Sequence, residues 1–191
     1  MKKWFTVAAL FAFASLPAFA QATTWQVDPN HTASQFAIRH MGISTVRGQF
    51  NKTTGQVVLD DTDVTKSQVD VTIDTTSLDT RVEARDKDVK GPSYLDVEKF
   101  PAMTFKSKRI TAAGDGKWKL TGDLTIHGVT KEATFDVEGP SAPFTMKDGT
   151  QRRGASATAK INRKDFGVNG GGALVGDDVT LTIDMEFTRK P

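Results

Sequence analysis

Near its C-terminus the chain reads VTLTIDMEFT: Val179, Leu181, Ile183, Met185 and Phe187 alternate without a break with Thr180, Thr182, Asp184, Glu186 and Thr188. Successive side chains on a strand point to opposite faces, so a strict two-residue period with one apolar and one polar face predicts a half-buried antiparallel strand. Ser34, Phe36, Ile38 and His40 share one such phase, and Val69, Val71 and Ile73 another. VRGQF, GQVVLD, AMTFKSKRIT, KWKLTGDLTI, VTKEATFDVEG and GASATAKIN repeat the theme, with Gly, Asp, Asn or Pro between many of them. About eight strands are expected, and a chain of that kind hides its edges by closing into a barrel or stacking as a sandwich.

One region breaks the period. TSLDTRVEARDKDVKGPSYLDVEKFP, from Thr76 to Pro101, offers Ser77 or Thr80 as a helix cap, charges at helical spacing and Gly91 as a stop. Pro92 could open a second short helix. One or two short helices are expected to cross one barrel end, RVEARDKD reading as an exposed helix of mixed charge or, more sharply, with Arg85 and Asp86 as a buried or cavity-edge ion pair pinning it to the barrel. The Gly run at Asn169 to Gly172 reads as one mobile loop.

The chain begins with Lys2 and Lys3, an apolar run from Trp4 to Leu16, and Ala18-Phe19-Ala20 as a small-x-small cleavage pattern. Residues 1–20 are therefore expected to be a cleaved signal peptide, and 21–191 one soluble domain, since no segment approaches the roughly 20 apolar residues of a membrane span. Removing Lys2 and Lys3 brings the 25 basic side chains down to match the 23 acidic ones. Overall charge thus gives no footprint for nucleic acid or an anionic membrane, and the missing apolar span predicts no stable membrane insertion. The chain has no cysteine, which rules out disulfides, a lipidated Cys and thiolate chemistry. Export without disulfides fits a periplasm.

Candidate chemistry centres on the histidines. In LTIHGVTKE the apolar phase is even before His127, at Leu124 and Ile126, and odd after it, at Val129, Ala133, Phe135 and Val137. A phase change across two residues marks a turn, and His-Gly is a weaker form of the Asn-Gly hairpin signal. The alternative places His127 at the mouth of a ligand cavity. A zinc site built from His31, His40 and His127 is a lesser reading, because no pair has the close spacing of known sites. No nucleophile elbow is present. Asp28 before Pro29 suits an Asx turn that would carry His31.

Ala155, Ala157, Ala159 and Ile161 share one phase of their strand. If that phase faces inward, one wall is lined by methyl groups, which shifts a barrel of about eight strands from a filled core toward a ligand cavity. Phe36, Phe50, Phe105 and Phe135 also lie in apolar strand phases. An apolar tunnel would favour a long hydrocarbon by about 0.8 kcal/mol per buried methylene. The expected tunnel lining is Phe36, Ile38, Phe50, Ile73, Leu95, Phe105, Ile126, Phe135 and Ala157, with Arg85, His127 and Asn169 at the mouth.

WQVDPNHTASQFAIRHMG, VRGQF, SLDTRVEARD, VEKFPAMTFKS, GDLTIHGVTKEATF, INRKDFGV and VGDDVTLTI together resemble the YceI-like family of periplasmic polyisoprenoid-binding proteins, in order and over nearly the whole chain after residue 20. The resemblance implies a lipocalin-like antiparallel β-barrel with a helical segment, holding an isoprenoid chain such as a polyprenyl phosphate or quinone tail. It implies a binder or carrier without cofactor or catalytic residues. It departs at Lys87-Asp88-Val89, where many relatives carry His and Leu after the Arg-Asp pair, so the head group is not carried over. Another amphiphile such as a fatty acid or fatty amide, a stress protein serving a membrane redox partner, and a zinc-dependent lipid hydrolase are the rival readings. A homodimer is compatible with all of them.

Overall fold

The computed structural model describes residues 22–191. The expected leader falls on residues outside that range. Twelve strands form one antiparallel sheet: β1 Thr23–Val27, β2 Ala33–His40, β3 Ser44–Phe50, β4 Thr53–Leu59, β5 Gln68–Asp74, β6 Leu78–Asp79, β7 Ala102–Gly114, β8 Lys117–Ile126, β9 Val129–Glu138, β10 Phe144–Thr145, β11 Gln151–Asn162 and β12 Val175–Arg189. Among the described residues one α-helix, α1, spans Glu83–Lys90.

Register reduces these pieces to eight tracks. β12 pairs with β11 along its length on one edge; on the other it meets β1 at Phe187 and Thr188, then β2 from Asp184 to Val175. β1 and β2 are thus one track interrupted at residues 28–32. β3 and β4 form the next, since β3 pairs with β2 and β4 with β1. β5 pairs with β4 and β6 with β3, giving a third. β7, β8, β9, β11 and β12 complete the circuit, and the β11–β12 pairing closes it. The molecule is an all-β closed antiparallel barrel of eight strands, with β10 added outside β11.

Closure is tight at one end. Trp25 and Phe187 are 1% and 2% exposed and meet edge to face at 5.8 Å. Val57 and Leu59 pack around them, and the guanidinium groups of Arg153 and Arg189 lie 5.3 and 5.1 Å from the Trp25 ring. Edge-to-face stacking and cation–π contact both add to the burial of so large a side chain.

The opposite end is splayed. The β5–β7 ladder stops at Asp74 opposite Ala102, although the β5 track runs on into β6, and β9 pairs with β11 only over Asp136 to Glu138. Into the first gap the chain places α1 and the turns from Gly91 to Phe100, tied back where Thr75 donates its N–H to Pro101 O and its hydroxyl to Phe100 O. Glu83 and Asp86 in the first turn of α1 and Lys87 and Lys90 in the last complement the helix dipole.

Two local expectations are corrected here. The α1 N-cap is Val82, with no side-chain cap, and no second helix forms after Pro92. Thr80 is instead the anchor, one residue before the turn into the helix. Its N–H and hydroxyl donate to Asp86 Oδ1 at 2.7 and 2.5 Å, while Arg85 Nε donates to Thr80 Oγ1 and Arg85 Nη2 to Thr80 O. Arg85 and Asp86 therefore do not pair with each other. Both grip a buried threonine, which gives the uncapped helix its fixed start.

Candidate functional site

The inward phase of the strands leaves a cavity of about 330 Å³ between the Trp25–Phe187 closure and the splayed end. Val69 and Met185 border it and also pack on the closure, so the closed end is its floor. Phe36, Ile38, Phe50, Ile73, Leu95, Phe105, Ile126, Phe135 and Ala157 all border it. Eight of them do so because the two-residue phase read in each strand is the inward one, as it also is for Val179, Leu181, Ile183 and Met185, while Leu95 reaches the cavity from the turns after α1. Ala157 lies opposite Val137 and Ile183 in the sheet, where a methyl group keeps the wall thin. Gly48 has a similar effect, since a Cβ there would sit 2.5 Å from the Phe36 ring.

Polar atoms in the wall are mostly spent on each other. Ser34 and Thr53, each 1% exposed, share a hydrogen bond at 2.8 Å. Arg163, 4% exposed, donates through Nε to Gly176 O, through Nη1 to Val168 O and Gly170 O, and through Nη2 to Val175 O. One planar cation thereby gathers the carbonyls of the 168–176 loop, a use that its fork of donors suits. Sequence reading passed over Arg163 within INRKDFG; Asn162, which caps the 3-10 turn at Arg163–Phe166 through Lys164 N–H, was the visible signal.

The charged groups left beside the cavity, Arg39, His40, Arg85 and Asp88, are at the splayed end with Tyr94; Gln35 and Thr104 also border it. Arg85 keeps Nη1 free of hydrogen bonds among the described residues. His127 and Asn169 do not border the cavity. His127, with φ 51°, and Gly128, with φ 76°, form the two-residue turn between β8 and β9, and the imidazole packs on Phe100 at 4.4 Å. Its Nε2 is buried and has no hydrogen-bond partner among the described residues. Asn169 is exposed on the outer side of its loop. The glycines after it are not an open loop either: a Cβ on Gly170 would lie 2.8 Å from the Tyr94 ring, and one on Gly171 2.7 Å from its Oη. Their missing side chains let Tyr94 pack flat at the cavity edge.

The three histidines stand in separate surroundings, His31 in the 28–32 turn, His40 at the end of β2 and His127 in its hairpin. Among the described residues, Asp28, His31 and Glu186 bring ligand atoms within 4.8 Å of one another. That cluster already holds a cation: Arg152 Nη1 is 2.7 Å from Asp28 and 3.1 Å from Glu186. Burial works to raise the Asp28 carboxyl, but hydrogen bonds from His31, Arg152 and the Asn30 N–H outweigh it and hold the group below its ordinary value. The donor set suits a structural ion pair joining the 28–32 turn to β11 and β12.

A family model described as the YceI-like domain matches residues 25–187, which takes in every strand of the closed barrel except the first two residues of β1 and the last two of β12. The chain belongs to the YceI-like domain family. A UPF0312 protein of Vibrio cholerae is 34% identical over 186 residues, covering 96% of this chain and 98% of that one. A UPF0312 protein of Staphylococcus aureus is 34% identical over 172 residues, covering 87% and 98%. Among solved structures, the YceI protein of Campylobacter jejuni superposes with a TM-score of 0.71 at 32% identity, over 81% of this chain and 91% of that one. BcnA of Burkholderia cenocepacia gives 0.73 at 25% identity, over 84% and 98%. A polyisoprenoid-binding domain from Saccharophagus degradans gives 0.64 at 13% identity, over 87% and 98%, and so shares the fold. No helix among the described residues is long and apolar enough to cross a membrane.

Proposed function

We propose that this YceI-like protein is a periplasmic binder or carrier of a long-chain isoprenoid lipid, such as a polyprenyl phosphate or a quinone, held by its tail in the barrel. The observation that carries this reading is the asymmetry of the cavity. Its floor and walls are apolar, its wall hydroxyls are internally satisfied, and its charged groups gather at the splayed end. A buried tail then contributes about 0.8 kcal/mol per methylene without needing polar recognition along its length. The head group would sit beside Arg85, whose Nη1 has donors to spare, with Arg39 and His40 across the opening. That one fold relative is a polyisoprenoid-binding domain agrees with the reading.

The test is a titration of lipid-stripped protein with polyprenyl phosphates and quinones of graded tail length, read by native mass spectrometry. Affinity should climb with each isoprene unit until the cavity is full and then level off. Equal affinity for a short and a long tail would contradict a tail-binding tunnel.

A further inference from the structure

The splayed end carries a set of exposed apolar side chains that the cavity does not use. Met41 and Ile43, in the turn between β2 and β3, are 54% and 79% exposed, and Leu174 is 56% exposed. They are neighbours: Met41 N–H donates to Leu174 O. Each also adjoins the opening, because His40 and Val175, which border the cavity, directly precede Met41 and follow Leu174 and are paired in the sheet. Val82, 47% exposed, stands before α1, whose Arg85, Asp88 and Val89 border the same opening.

The β2–β3 hairpin at this rim carries charges of one sign, whereas Glu83 and Asp88 sit on the α1 side of the opening. No Asp or Glu occurs between Asp28 and Asp60, a stretch that contains Arg39, His40, Arg47 and Lys52. Arg39 and Arg47 lie on the outer face of the β2–β3 hairpin and form no ion pair among the described residues. Arg39 donates to Thr45 Oγ1 and Gly42 O, which holds the turn in shape.

We propose that this rim docks the barrel mouth onto a lipid bilayer carrying anionic head groups, with Met41, Ile43 and Leu174 entering the interface and Arg39 and Arg47 meeting phosphates. An apolar tip flanked by cations has the composition of a peripheral membrane contact. Continuity with the cavity favours a bilayer over a protein partner, since a tail leaving the membrane for the barrel would otherwise expose every methylene to water. This inference rests on the lipid-binding reading for its purpose, and its test separates the two.

The experiment is flotation of the chain from Gln21 onward, which carries every strand of the barrel, with vesicles of phosphatidylethanolamine containing or lacking phosphatidylglycerol. Binding should require phosphatidylglycerol and weaken with added salt. The Ile43→Asp, Leu174→Asp double variant should lose about tenfold in vesicle binding or more. Phe144→Asp, which alters an exposed apolar residue on β10 at the other barrel end, should bind as the parent does. Circular dichroism should be unchanged in both. Isoprenoid presented in detergent should bind the double variant normally, while transfer out of vesicles slows.

Vesicle binding that is absent, or that survives the double substitution, overturns the docking surface. A dimer that Ile43→Asp converts to monomer, without vesicle binding, overturns it in favour of self-association. Phosphatidylglycerol-dependent binding lost in the double variant supports docking even where detergent-presented isoprenoid fails to bind; that failure would remove the lipid reading alone.

Discussion

At position 157 a methyl group borders the cavity where an indole would fill it. Ala157→Trp should abolish isoprenoid uptake in a titration while leaving the far-ultraviolet spectrum of a β-barrel, at a stability cost of about 1–3 kcal/mol for overpacking. Unchanged uptake would remove Ala157 from the ligand wall. Asp28 gives a prediction in pH. Its folded carboxyl lies below its unfolded value, so its contribution is fully present above about pH 4 and is lost as pH falls through the folded value. Asp28→Asn should therefore melt below the parent at pH 7 and converge with it near pH 2. A constant gap in melting temperature across that range would show that the Arg152 and His31 contacts add nothing through charge.

The sequence shows a residue's phase more readily than its partners. Eight of the nine tunnel residues could be placed on the cavity because strand alternation is a local property, and Ala157 shows it most plainly; Leu95, in the turns after α1, has no such pattern. His127 could be assigned to a turn from the phase change around it, and its φ of 51° agrees. Its exclusion from the mouth depends on Phe100, which arrives from a different segment and which no local pattern announces.

Among elements, the strands follow the alternation closely, whereas α1 and the 168–176 loop are held by contacts that sequence spacing does not reveal. The loop depends on Arg163. Arg163→Ala should strand the carbonyls of Val168, Gly170, Val175 and Gly176 and cost about 3 kcal/mol or more in urea unfolding. Arg163→Lys should recover little, because an ammonium cannot reproduce the fork. Full recovery by lysine would reduce Arg163 to a mere positive charge. Gly171, at φ 78°, faces Tyr94 Oη and the Val175 side chain, so Gly171→Ala is strained both in backbone and in space. Hydrogen exchange from 168 to 176 should accelerate at least about tenfold in that variant. The same Gly run looked mobile in the sequence because Tyr94, the ring it accommodates, lies far off in the chain.

For the whole molecule, strand number left barrel and sandwich open and the family resemblance pointed to the barrel, but neither showed the division of the first three tracks. Interruptions at residues 28–32, 51–52 and 75–77 look like ordinary turns locally; only the shared register with β12 and with one another shows that the chain resumes the same course. The consequence is a barrel firmly shut at Trp25 and splayed at α1, with a cavity between. A ligand that binds only this folded form should raise its melting temperature by mass action. The most direct measurement is native mass spectrometry of the protein as purified from its own host, followed by solvent extraction and identification of what is bound. One isoprenoid lipid per barrel is the expected result. A protein that emerges empty, and that takes up neither a quinone nor a polyprenyl phosphate when offered them, would contradict it.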